Sequence, residues 1–304
     1  MYVFSLIFLF LVGSAIGSFL NVVSFRYRPD GKIITGGVLA GRSHCPDCLK
    51  NLRWYDLIPI ASFIFLRRRC RSCGALISFQ YPLVEIIGGV LLAYLPIHFY
   101  HFFGVFRLSV LNQSLDWYYL FLGVWILVAF ALLLMAVIDY RRQIIPDQIN
   151  LFLVALGILL VASRFFFHYF HWPAGQISFL GASAGFLTPI FLVKHFFINR
   201  AAAGLLGLIF FGGIVAATRG RGMGMGDVKL AGALGFLLGW PDAIIVFFLS
   251  FVIGALWSVG LMALRRKSIK DAVPFGPFLA AAVFVTIALG EKLLHWYFIS
   301  FFNV

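Results

Sequence analysis

Two aspartates adjoin long apolar segments of the sequence, where an ionised carboxylate is costly and often functional. Asp227 follows the glycine-punctuated stretch 222–226 and opens an apolar helix, where free N–H groups favour a carboxylate. Simple capping of that helix is the alternative explanation for Asp227. Asp139 ends another apolar segment. Because a helix C-terminus disfavours an anion, Asp139 is a stronger functional candidate than Asp147, which follows Pro146 at a helix start.

Two carboxylates that meet in one site can share a proton. The ionised carboxylate takes a proton from water, and the protonated one donates to the oxygen of a scissile carbonyl. The pair Asp139 and Asp227 is therefore a candidate for peptide hydrolysis without a metal.

The cysteines form a second candidate site. All four lie in two C-x-x-C pairs, Cys45 with Cys48 and Cys70 with Cys73, separated by 21 residues. This spacing is typical of a tetrahedral thiolate site for Zn²⁺. Two disulfides are the alternative, which a cytosolic location disfavours. With four protein ligands the site is closed, so we expect a structural zinc.

The composition predicts an all-α polytopic membrane protein. Of the 304 residues 62% are hydrophobic and 12% are charged, and the mean hydropathy is +1.00. Apolar segments long enough to cross a bilayer recur, and we expect about eight transmembrane helices. The net charge of +13 lies in a few loops, which the positive-inside rule explains without a nucleic-acid partner.

The segments divide into three predicted regions. Residues 1–25 form an uncleaved first transmembrane helix, 26–80 a cytosolic zinc-binding segment, and 81–304 a membrane-embedded catalytic core, with both termini outside. We expect a small-residue face on the first helix for close packing and a hydrogen bond from Asn21 to a neighbouring helix. Two full spans within 176–218 would place Asp227 outside, so we expect one span plus an extra helical piece there.

Two further carboxylates have structural explanations beside functional ones. Asp147 follows Pro146 at a helix start, where a carboxylate is favoured. Glu85 lies a few residues inside the second span. It is either a first-turn carboxylate or a functional group at the cytoplasmic face.

Taken together, the motifs resemble the type IV prepilin peptidases over most of the chain. The Gly-x-Gly-Asp element alone is not specific, but the set is. The resemblance rests on GSFLNVVSFR (17–26), the two cysteine pairs, RWYDLIP (53–59), YPLVE (81–85), DYRRQIIPD (139–147), GMGDVK (224–229) and PFGP (274–277).

This resemblance implies a bacterial inner-membrane aspartic endopeptidase of the Gly-x-Gly-Asp type. Such enzymes cleave the basic leader of prepilin-like proteins after a glycine, with the zinc segment and active site facing the cytoplasm. Members with the cysteine segment usually also methylate the new N-terminus with S-adenosylmethionine, so both activities are expected. The implied residues are the catalytic pair Asp139 and Asp227 and the supporting Gly224, Gly226, Lys229 and Asp147. No glycine-rich nucleotide loop identifies the site of the methyl donor, for which Glu85 is only a candidate contact.

Other functions compete with this interpretation. A transporter or channel with a zinc-stabilised cytosolic cap would also place aspartates in the membrane. A scaffold that binds prepilin without cutting it would need neither carboxylate. A peptidase without methyl transfer is the nearest alternative. The length of 176–218 departs from the family pattern and leaves the local topology open.

Overall fold

The computed structural model describes residues 2–29, 31, 33, 38, 41–105, 115–166, 196–264 and 273–302. The regular structure of these residues is helical, with two isolated β-bridges, so the all-α prediction is confirmed. A short 3-10 helix spans Trp54–Leu57. The α-helices are α1 (Tyr2–Arg26), α2 (Ala61–Phe65), α3 (Gln80–Val105), α4 (Leu115–Arg142), α5 (Asp147–Phe166), α6 (Phe196–Thr218), α7 (Met225–Leu238), α8 (Asp242–Ala263) and α9 (Gly276–Phe302).

Five of these helices are long and apolar enough to cross a membrane: α1, α3, α4, α6 and α8. Shorter apolar stretches occupy Asp147–Ser163 of α5 and Gly276–Gly290 of α9. Within the stretch 176–218, the part from 196 onward is α6, and residues 176–195, including any extra helical piece, lie outside the described residues.

The chain forms two compact units whose boundary falls inside α4. The first contains residues 1–112 and 118–138, and the second contains 113–117 and 139–304. The functional division into 1–25, 26–80 and 81–304 stays a prediction.

In the first unit α1 packs on α3 through glycines. A Cβ atom added to Gly17 would lie 2.7 Å from the carbonyl oxygen of Val84, so only glycine permits this approach. Asn21 extends the contact, since its Nδ2 donates to the carbonyl of Tyr81 at 3.2 Å. The expected small-residue face of α1 and the interhelical bond of Asn21 are both confirmed.

In the second unit α7 packs most extensively against α6 and α5. On one side it meets α6, where a Cβ atom at Gly207 would lie 2.7 Å from the carbonyl oxygen of Ala231. On the other side it meets α5, where a Cβ atom at Gly157 would lie 2.8 Å from the ring of Phe236. These close contacts fix the position of α7, whose first turn contains Asp227.

Candidate functional site

The carboxylate of Asp227 lies in the first turn of α7, buried with 9% of the residue exposed. Its Oδ2 accepts a hydrogen bond of 3.2 Å from the N–H of Gly224, the residue before the helix. Its Oδ1 is also buried and has no hydrogen-bond partner among the described residues. Capping of α7 therefore occupies Oδ2, and Oδ1 remains available to take part in a reaction.

The carboxylate of Asp139 lies in the last turn of α4 and is buried, with 4% exposed. Its Oδ2 accepts a hydrogen bond of 3.0 Å from the N–H of Gly276, the first residue of α9. The positive end of α9 therefore offsets the unfavourable C-terminus of α4. Sequence reasoning missed this partner, although Pro277 directly after Gly276 is typical of a helix start.

The two carboxylates lie close enough to interact electrostatically. Both belong to the second compact unit, although 88 residues separate them in the chain. Two buried carboxylates in one site cannot both ionise without mutual repulsion, and a shared proton relieves it. The structure thus brings together the pair that the sequence singled out.

The glycine at 226 lets the loop between α4 and α5 pack on the first turn of α7. A Cβ atom at Gly226 would lie 3.1 Å from the Cβ of Ile145, tighter than nearly all ordinary contacts. Gly224 supplies the N–H that binds Asp227. Both glycines therefore shape the surroundings of Asp227.

The remaining two supporting residues form an ion pair with each other. Nζ of Lys229 lies 2.8 Å from Oδ1 and 2.9 Å from Oδ2 of Asp147, joining the first turns of α5 and α7. The side chains are 50% and 69% exposed, so the pair contributes at most about 1 kcal/mol.

The four cysteines of the first unit form a cluster built from two matching knuckles. In each knuckle the N–H of the first cysteine donates to the carbonyl five residues later, at 3.0 Å for Cys45 and 2.8 Å for Cys70. The residue after the second cysteine donates back to the carbonyl of the first at 2.9 Å in both knuckles. That residue has a positive φ, +73° at Gly74 and +57° at Leu49.

The cluster has the dimensions of a tetrahedral metal site. All four sulfurs lie within 4.8 Å of one another, and the Sγ atoms of Cys45 and Cys73 are 3.9 Å apart. Zinc with four thiolates at about 2.3 Å requires sulfurs about 3.8 Å apart. Backbone N–H groups of Cys73 and Ser72 lower the pKa of the Cys70 thiol to about 7, which favours the thiolate that binds metal. The cluster could hold a metal ion, and the identity of the ion stays a prediction.

Glu85 is buried in the first turns of α3, with 6% of the residue exposed. Its Oε2 accepts a hydrogen bond of 2.7 Å from the N–H of Ile60, and the side chain of Ser18 also bonds to it. Ile60 directly precedes α2 and has a positive φ of +63°. Glu85 therefore fixes the turn that follows the 3-10 helix and ties it to α1 and α3.

Sequence reasoning also missed polar residues that hold α7 at its far end. Arg200, 4% exposed in α6, donates to the carbonyls of Leu237 and, at 3.3 Å, Phe236 at the C-terminus of α7. Asn199 binds both backbone groups of Trp240, accepting from its N–H at 2.6 Å and donating to its carbonyl at 3.1 Å. A buried cation at these carbonyls complements the negative helix end. The adjacent polar residues Asn199 and Arg200, which interrupt an apolar stretch, were the available signal in the sequence.

Comparison with known proteins matches both candidate sites to family models. The model described as the bacterial peptidase A24 N-terminal domain matches residues 11–99, which include the four cysteines. The model described as the type IV leader peptidase family matches residues 125–259, which include Asp139 and Asp227.

Curated relatives are similar over nearly the whole chain. A prepilin leader peptidase/N-methyltransferase of Aeromonas hydrophila is 31% identical over 98% of this chain and 94% of its own length. A protein of the same name from Bacillus subtilis is 31% identical over 95% of this chain and 96% of its own length. Another from Pseudomonas aeruginosa is 29% identical over 94% of this chain and 91% of its own length. No solved structure matches the chain.

Proposed function

Because this chain belongs to the type IV leader peptidase family, we propose that it is an aspartic endopeptidase that removes the leader of prepilin-like proteins. The observation that carries the proposal is the buried, electrostatically interacting pair Asp139 and Asp227. Each carboxylate binds one backbone N–H, so both are held in place before substrate arrives.

The proposed reaction is a general acid–base hydrolysis. The ionised carboxylate takes a proton from a water molecule, whose oxygen attacks the carbon of the scissile carbonyl. The protonated carboxylate gives its proton to the carbonyl oxygen, forming a tetrahedral intermediate. When that intermediate collapses, the C–N bond breaks and the leaving nitrogen takes the proton that the first carboxylate had accepted from water. One hydroxyl of the intermediate gives its proton to the second carboxylate, which restores the starting state of the pair. The two carboxylates exchange roles in this scheme, so one proton shared between them is sufficient.

The five apolar helices and the family support a location in a membrane. We propose a multi-pass protein of the bacterial inner membrane, with the cysteine segment and the aspartate pair facing the cytoplasm. Four exposed arginines lie at or just beyond the C-terminal ends of α4 and α6: Arg141, Arg142, Arg219 and Arg221. The positive-inside rule favours the cytoplasmic side for such a group.

The cysteine cluster is proposed to bind Zn²⁺ through Cys45, Cys48, Cys70 and Cys73. With four protein ligands such an ion would stabilise the segment and would leave no open position for substrate.

The relatives' names support a second activity, methylation of the new N-terminus. S-adenosylmethionine would supply the methyl group. We propose Glu85 as a contact of this methyl donor, because a buried carboxylate is a suitable partner for its amino or sulfonium group. Replacement of Glu85 by glutamine keeps the oxygen that accepts from Ile60, so we expect cleavage to persist while methylation falls.

The test is cleavage of a prepilin-like protein by the purified chain in detergent, read by mass spectrometry. We expect the wild type to cut at one bond, and Asp139→Asn and Asp227→Asn to be inactive although folded, because asparagine cannot ionise. With S-adenosylmethionine present, the product should be heavier by about 14 Da, the mass of a methyl substitution. Cleavage without this increase would leave a peptidase alone.

Other results would contradict the proposal. Activity that survives in either variant but is lost in Asp147→Asn would move the role to Asp147. A folded wild type that binds the substrate without cutting it would favour the scaffold. Ion flux in liposomes without cleavage would favour the transporter.

A further inference from the structure

A buried carboxamide of the second unit takes no part in the proposed hydrolysis. Asn150 lies one turn into α5, with 7% of the residue exposed. Neither its Nδ2 nor its Oδ1 has a hydrogen-bond partner among the described residues. A buried amide without partners is costly, and more so in a helix bundle within a membrane. Such a group is expected to have a partner during function.

The packing of α5 on α7 fixes where Asn150 lies. The two helices run parallel, since Asp147 pairs with Lys229 near their starts and Gly157 meets Phe236 and Leu237 farther along. Asn150 precedes Gly157 by two helical turns and therefore shares its face toward α7. Two turns back from Phe236 and Leu237 lie Lys229 and Leu230, the turn that follows Asp227.

The chemistry of the carboxamide suits one kind of ligand. It offers N–H donors and a carbonyl acceptor side by side, which matches the C=O and N–H of an extended peptide. A peptide bond inside a helix has its carbonyl engaged, so the substrate must be extended where it is cut. Extended backbone in an apolar site needs hydrogen-bond partners from the protein.

We propose that Asn150 binds the backbone of the substrate just beyond the scissile bond, on the side of its apolar segment. Asn150 lies farther from the polar N-termini of α5 and α7 than Asp227 does, so it meets the part of the substrate that enters the apolar region. This inference rests on the proposed peptidase function and adds a substrate-positioning residue to it.

The first test compares Asn150→Leu with the wild type in purified form. Leucine has nearly the shape of asparagine but no hydrogen-bonding group. We expect kcat/KM for cleavage to fall about tenfold to a hundredfold, the effect of leaving buried substrate groups unpaired. The melting temperature should equal or exceed that of the wild type, because an unpaired polar group is removed.

The matched control is Thr286→Val in α9. Thr286 is fully buried and its Oγ1 also has no partner among the described residues. It lies ten residues beyond Gly276, about 15 Å along the helix. This isosteric change should leave kcat/KM unchanged, while its effect on stability should resemble that of Asn150→Leu.

The second test identifies the backbone contact directly. In two substrate peptides the first or the second peptide bond beyond the scissile one is replaced by an ester, which removes a single N–H donor. One of these esters should lower kcat/KM of the wild type about tenfold. The same ester should cause no further loss in Asn150→Leu, because the accepting Oδ1 is already gone.

Several outcomes would overturn the inference. If the wild type cleaves and Asn150→Leu matches it within about twofold, or if the ester penalty persists in the variant, Asn150 does not bind the backbone. Should the leucine variant fail to fold, Asn150→Ala carries the same tests, and failure of both to fold would assign Asn150 a structural role instead. A wild type that cuts no substrate would refute the peptidase proposal and this inference with it.

Discussion

Replacing Gly207 by alanine should displace α7, the helix that begins beside Asp227. A Cβ atom at Gly207 would lie 2.7 Å from the oxygen and 2.9 Å from the carbon of the Ala231 carbonyl, whereas ordinary contact begins near 3.4 Å. Because both groups belong to rigid helices, α6 and α7 must separate by 3.4 − 2.7, about 0.7 Å. A displacement of about 1 Å can reduce catalysis about a hundredfold, so a loss of about tenfold or more in kcat is expected. Such overpacking should also cost about 1–3 kcal/mol of stability.

The matched control for this change is Gly213→Ala on the same helix. Among the described residues, no atom outside the local helix backbone and the chain neighbours lies within 4 Å of a Cβ built at Gly213, so alanine there should leave cleavage unchanged and slightly favour the helix. Both variants are assayed for single-turnover cleavage of a prepilin-like peptide and for thermal unfolding in detergent. If Gly207→Ala cleaves as fast as Gly213→Ala, close packing of α6 on α7 does not position Asp227.

Three further changes test the cysteine cluster and the ion pair. Cys70→Ser should abolish bound zinc in metal analysis, and zinc retained by the variant would contradict the ligand set. Lowering the pH should release zinc from the wild type, because protons compete for the thiolates. In Leu49→Gly the zinc should resist removal by a chelator at least as well as in the wild type, because glycine adopts a φ of +57° without strain. Faster loss of zinc from the variant would show that the leucine side chain stabilises the site. Lys229→Met should change the free energy of unfolding by less than about 1 kcal/mol, since its pair with Asp147 is exposed; a larger loss in a denaturant titration would show that the pair matters more than its exposure indicates.

Local patterns predicted the features that depend on spacing along the chain. The two C-x-x-C pairs indicated a cluster, and the sulfurs do converge. The small residues of α1 indicated close packing, which Gly17 shows. Composition indicated membrane-spanning helices, and five described helices meet the length and hydropathy that this needs.

Features that depend on contacts across the chain could not be predicted in the same way. The sequence showed that Asp139 ends an apolar run, but its partner, the N–H of Gly276, lies 137 residues away. Arg200 is a charged residue between apolar stretches of the sequence, and only the fold shows that it is buried inside α6 against carbonyls of α7. Asn150 gave no signal, because only the packing of α5 on α7 shows that its carboxamide is buried.

The central claim, that Asp139 and Asp227 act as one unit, is tested most directly by single-turnover cleavage rates of Asp139→Asn, Asp227→Asn and the double variant. Residues that act as a unit are strongly non-additive, so each single variant should lose as much as the double variant does. All three should retain zinc and the wild-type fold. Losses that multiply in the double variant, or cleavage that survives in either single variant, would contradict the shared-proton mechanism.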